Sequence, residues 1–149
     1  MNEFKPFEDK LAGLIAALSP ASRRHMAVEI AKKLRQRQQQ RIKSQKSPDG
    51  TPYAPRKRQP IKAKKGRIKR EMFTKLRTNR FMKAKGDDSA AVVEFTSKVQ
   101  RIARVHQYGL RDKPSPRSKE VQYTERPLLG IDKKNLQTIE SIIIKFLRQ

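Results

Sequence analysis

The chain has 149 residues, 37 of them Lys or Arg against 14 Asp or Glu, for a formal net charge of +23. Leu, Ile, Val and Phe together number 33, enough for one modest core but close to the level at which a highly charged chain stays unfolded. No cysteine is present, which excludes a disulfide framework, a thiolate nucleophile and a Cys-bearing zinc site, and with no apolar run beyond a few residues neither a membrane span nor a secretory signal is expected.

Phe7, Leu11, Leu14, Ile15 and Leu18 lie on one stripe of an amphipathic helix. Ser19-Pro20 interrupts it and starts a second, because serine can cap an orphan N–H while proline at the first helical position wastes no donor. Met26, Ile30 and Leu34 mark the apolar stripe of that second helix. From Arg35 to Ser44 the residues keep good helix propensity but offer only Ile42 to bury, so this long polar arm is expected to lie off the core.

Ser47-Pro48-Asp49-Gly50 is a turn, followed by an extended, proline-spaced stretch through Pro55 and a basic loop to Arg67. The arm and loop, 35–67, are expected to become ordered only against a partner. Helical spacing returns at Ile68, Met72, Phe73 and Leu76. Ala91, Val93 and Phe95 alternate with Val92 and Glu94 as a half-buried strand, paired as a hairpin with Arg80–Ala84 across the turn cluster Lys85–Ser89. Ile102, Val105 and Tyr108 suggest a short helix closed by left-handed Gly109. Leu110–Val121 reads as a long loop, and Tyr123 as part of a short edge strand. Asp132 caps a last helix whose stripe is Leu136, Ile139, Ile143, Phe146 and Leu147. The expected architecture is α+β, a single domain over 1–149 with helices packed on a small antiparallel sheet.

Catalytic chemistry finds no constellation. His25 and His106 have no second His or Cys at ligand spacing, and Glu71, Asp87, Asp88 and Glu94 are scattered rather than convergent. No glycine-rich phosphate loop or nucleophile elbow occurs. Neither an enzyme, a metal site nor a cofactor is expected, and His106 reads as a packed or capping residue.

The charge is concentrated: between Arg35 and Lys85 there are 19 basic and 2 acidic residues. Such a block is either a solvated connector or a surface for polyanions. No zinc finger, leucine heptad or base-stacking aromatic pair accompanies it, so contact with nucleic acid would run through phosphates, without sequence readout and with strong salt dependence. The nucleic-acid-proximal residues in this reading are Arg56, Lys57, Arg58, Lys62, Lys64, Lys65 and Arg67. A free basic nucleic-acid-binding protein is the alternative this composition allows.

Five words of the sequence carry a resemblance. They are Leu34–Ile42, Gln45–Arg56, Met72–Arg77, Ile102–Leu110 and Tyr123–Gly130, and in this order and spacing the chain resembles the phage virion morphogenesis family, the tail completion proteins of contractile-tailed phages. The resemblance implies a non-enzymatic virion protein of the tail and neck, assembled in the host cytoplasm. It implies a homo-oligomeric ring, sixfold like the tail, at the head-proximal end, which makes the tail competent for head–tail joining. Its partners would be tail terminator and tube proteins, head–neck connector proteins and the phosphates of packaged DNA, with no membrane. Arg35, Arg37, Arg41, Ile42, Pro48, Tyr53, Pro55, His106, Tyr108 and Arg126 would then lie at contacts with other subunits or the tail. Leu128 and Leu129 read as packing residues.

Overall fold

The computed structural model describes residues 5–56 and 71–149. They form four helices and two two-stranded antiparallel ribbons. The class is α+β as expected, with the small sheet divided in two. By their contacts the elements fall into two compact units. One takes Met1–Gln36, Lys83–Glu94 and Lys133–Gln149, and the other Arg37–Met82 and Phe95–Asp132.

The first unit begins with α1 (Lys5–Ala16) and continues into α2 (Pro20–Lys43), whose residues from Arg37 onward belong to the second unit. The join is held as the local sequence dictates. Ser19 Oγ accepts the Ser22 N–H at 3.1 Å, with Pro20 in the first helical position. The Arg23 guanidinium donates to the carbonyls of Leu18 at 2.8 Å and Ala16 at 3.2 Å, groups at the end of α1 that no helical N–H can reach. Its Nε donates to the Asp88 carbonyl at 3.1 Å, in the turn between β1 (Met82–Gly86) and β2 (Ala91–Phe95).

That ribbon is the predicted hairpin. Its turn is closed by the Asp87 N–H on the Ala90 carbonyl at 2.9 Å, and Lys85 pairs with Glu94 across it at 2.9 Å. The core of the unit is Met26, Ile30 and Ile142, with Ile15, Leu18, Leu34, Ala91, Ile139, Ile143 and Phe146 packed around it. The stripe of α4 (Lys133–Leu147) is the expected one at Ile139, Ile143 and Phe146 and departs from it at two positions. Ile142 is buried, whereas Leu136 is exposed, as is Leu14 on α1.

In the second unit, the chain leaves α2 after Lys43 and turns at Gln45, which takes a left-handed φ of 57°. Ser47–Gly50 forms the expected turn: Gly50 N–H donates to the Ser47 carbonyl at 2.9 Å, and the Asp49 carboxylate accepts from the Ser47 hydroxyl and, at 2.9 Å, from the Thr51 N–H. The helix expected over Ile68–Leu76 does not form among its described residues. Phe73 has φ 66°, which interrupts helical geometry, and only one turn follows it, closed by Arg77 N–H on the Phe73 carbonyl at 3.2 Å.

The short helix before glycine is present as α3 (Gln100–Tyr108), closed by Gly109 at φ 62° and ψ 54°. Its inward face is Ala103 and Val105; of the three residues whose spacing suggested the helix, Val105 is inside while Ile102 and Tyr108 are exposed at 51% and 62%. The predicted loop Leu110–Val121 contains a minimal ribbon, β3 (Arg111–Asp112) against β4 (Val121–Gln122), in register Arg111 with Gln122 and Asp112 with Val121. Tyr123 extends it, donating its N–H to the Leu110 carbonyl at 3.0 Å.

Candidate functional site

The second unit is organised around Arg126–Gly130, a segment without regular structure whose backbone groups are met by side chains from other parts of the chain. Gln107 Oε1 accepts the N–H groups of Leu128 at 2.8 Å and Leu129 at 2.9 Å, and its Nε2 donates to the Leu129 carbonyl at 2.9 Å. Gln38 Oε1 accepts the Gly130 N–H at 3.1 Å. Arg41 donates to the carbonyls of Gly130 at 3.1 Å and Leu128 at 3.2 Å and to Gln38 Oε1, and stands 3.7 Å from the Asp132 carboxylate. The Tyr53 hydroxyl donates to the Pro127 carbonyl at 2.7 Å. Buried backbone polar groups must find partners, and here carboxamide, guanidinium and phenol supply what a neighbouring strand would otherwise give.

The polar arm is accordingly not off the core. Gln38 and Ile42 are 4% and 0% exposed, and the arm is polar because what it packs on is backbone. The segment 37–56, expected to gain order only from a partner, is held by its own chain. Gln45 shows the same device: its Oε1 accepts the Met72 N–H and its Nε2 donates to the Met72 carbonyl, both at 2.8 Å. Arg126 turns the other way, donating to the carbonyls of Ala54 at 2.8 Å and Pro55 at 3.0 Å.

Beside this segment runs an aromatic row. Tyr53 meets Phe73 with ring centroids 5.6 Å apart, Phe73 meets His106 at 4.9 Å and His106 meets Tyr123 at 5.2 Å, each edge to face. A groove of about 480 Å³ opens along it, lined by Phe73, His106, Tyr123, Arg56 and Arg126 among others. Burial, and secondarily the neighbouring Arg126 charge, push the His106 pKa below its ordinary value, so the ring is held neutral. Burial likewise pushes the Tyr53 hydroxyl up to about 12.

The candidate contact residues thus separate into two kinds. Arg41, Ile42, Tyr53 and Arg126 are engaged inside the unit; Pro48 is half-buried against Gly130, and His106 is packed in the aromatic row, as expected for it. Arg37, Pro55 and Tyr108 are exposed, and Arg35, in the first unit, is half-buried. Of the basic residues, Arg56 is exposed at the groove, and Lys57, Arg58, Lys62, Lys64, Lys65 and Arg67 lie outside the described residues. Sequence reasoning missed Gln38, Gln45 and Gln107, although all three sit inside the words that carry the resemblance. A glutamine gives no hydropathy signal that it is interior.

Among the described residues no group of three or more His, Cys, Asp or Glu could hold a metal ion, and no helix is long and apolar enough to cross a membrane. No solved structure matches the chain. It is similar to the tail completion protein S of Escherichia phage P2, with 49% identity over 150 residues that cover 100% of both chains. A family model described as the phage virion morphogenesis family matches residues 2–148. With three of those words now seen to latch a fourth, Tyr123–Gly130, and with a match spanning nearly its whole length, this chain belongs to the phage virion morphogenesis family.

Proposed function

We propose that this protein is a structural component of a phage tail that completes the tail for joining to the head. In this reading copies of the chain close as a ring, sixfold like the tail, at its head-proximal end. They meet tail terminator and tube proteins on one side and head–neck connector proteins on the other, assembling in the host cytoplasm and remaining in the virion. The observation that carries the proposal is the end-to-end identity with a tail completion protein. The exposed Arg37, Pro55 and Tyr108 are the candidate contacts left available once the latched residues are set aside, and a closed ring would cover them heterologously.

The test is complementation. A phage lacking this protein should accumulate filled heads and separate tails, and supplying the chain in trans should restore joined particles. Joined, infective particles in its absence would overturn the proposal. Native mass spectrometry of the isolated chain and of purified tails should show a ring, and a strictly monomeric protein in both would remove that part. The high positive charge supports a second reading, a free nucleic-acid-binding protein. It requires saturable binding to duplex DNA at physiological salt by a chain that never enters tails.

A further inference from the structure

We propose that the groove beside His106 is a receptor for a carboxylate side chain carried on an extended segment of another tail protein. The receptor chemistry stands on the groove itself, and only the partner's being a tail protein rests on the function proposed above.

Arg126 is 9% exposed, yet its guanidinium is held by two neutral acceptors, the carbonyls of Ala54 and Pro55. Among the described residues no carboxylate lies within ion-pair distance of it. A guanidinium carries five N–H donors in a fixed fork, and the two carbonyls use only part of that fork. A buried cation answered only by dipoles is costly, and an anion relieves the cost. Arg56 is a second cation on the groove, and His106 also lines it, with an Nδ1 that is buried with no hydrogen-bond partner. Phe73 and Tyr123 each stand edge to face with that ring and fix its plane. The two guanidinium groups favour an anion, and the His106 Nδ1, in the tautomer that carries its proton there, offers a donor.

Residues 57–70 of this chain do not supply the anion, since they contain no Asp or Glu. A protein carboxylate fits better than a nucleic-acid phosphate. Arg126 is 9% exposed in a groove it shares with Met72, Phe73, Val121 and Tyr123, whereas backbone phosphates are met by exposed Lys and Arg along a surface. A side chain on an extended segment can reach in and lay apolar neighbours on those walls.

The full chain, isotope-labelled, is titrated at constant ionic strength with 3-phenylpropionate, with its amide and with inorganic phosphate, and followed by NMR. The carboxylate is expected to give saturable shifts of the Arg126 Nε–H and the His106 ring, with the amide at least tenfold weaker and phosphate not saturating. Equal binding of the amide would reduce the groove to an apolar slot and overturn the proposal. Saturation by phosphate in place of the carboxylate would make it a phosphate site and overturn it as well, as would the absence of any saturable shift. His106→Phe keeps the aromatic row while removing the nitrogen and should weaken the carboxylate at least threefold; unchanged affinity would strike His106 from the receptor. Because the tail role is read from particles and this binding from the isolated chain, either can fail without the other.

Discussion

Gly130 lies against the ring of Pro48 so closely that a Cβ added to it would stand 2.5 Å from the proline Cγ and 2.8 Å from its Cβ. The two residues are far apart in the sequence, and each sits in one of the words that mark the family. Gly130→Ala should destabilise the protein by about 1–3 kcal/mol, the usual range for overpacking. Pro48→Ala in the same chain should restore at least half of the loss. Urea unfolding of the two single variants and the double variant checks the coupling, and additive losses would show that the contact is not what excludes a side chain.

Gln107 answers three backbone groups of Leu128 and Leu129 with one carboxamide. Gln107→Met keeps the length but leaves two donors and an acceptor unanswered, which should cost about 2–4 kcal/mol. Gln107→Glu keeps the accepting oxygen and should cost less. The order of the two denaturation midpoints is the test, and a milder effect for methionine would contradict the latch.

Acid should unfold the protein in two stages. The His106 pKa is lowered, by burial first and by Arg126 second, so as pH falls below about 6.5 the unfolded chain takes up a proton before the native one and stability declines. Above that pH the histidine contributes no slope. Asp49 is held at about 2 against 3.8 by bonds from Ser47 and Thr51. Its contribution is complete above 3.8 and is lost as pH falls toward 2, with Asp87 and Asp112 lowered in the same sense by their own hydrogen bonds. Thermal midpoints recorded from pH 8 to pH 2 should show both declines, and His106→Phe should remove only the first.

Ile42 and Ile102 make an opposed pair, fully buried in the polar arm and half exposed on α3. Ile42→Ala should cost about 2–4 kcal/mol, and Ile102→Ser should stay within about 0.5 kcal/mol. Calorimetry on both decides whether the arm is interior, and comparable small losses would return it to the surface.

What the sequence made legible was local. Ser19-Pro20, Ser47–Gly50 and Gly109 were readable because each turn or cap satisfies its own backbone within a few residues, and β2 because alternation needs one partner face. The helical spacing of Met72, Phe73 and Leu76 does not become a helix, because the left-handed backbone at Phe73 interrupts it. The arm misled for a deeper reason. Hydropathy reports what leaves water readily, and Gln38 and Arg41 leave it only because carbonyls and amides of Leu128 and Gly130 wait for them. Tyr53, His106 and Arg126 of the site were visible as residues, but the glutamines that fix their surroundings were not.

Side-chain chelation of Arg126–Gly130 has a consequence for heredity. The path of that peptide is encoded in positions from 21 to 92 residues away, and Leu129 presents to Gln107 only the N–H and C=O that every non-proline residue owns. Its letter can change without touching these bonds, whereas one changed amide at Gln38 or Gln107 removes partners of that path with every local letter intact.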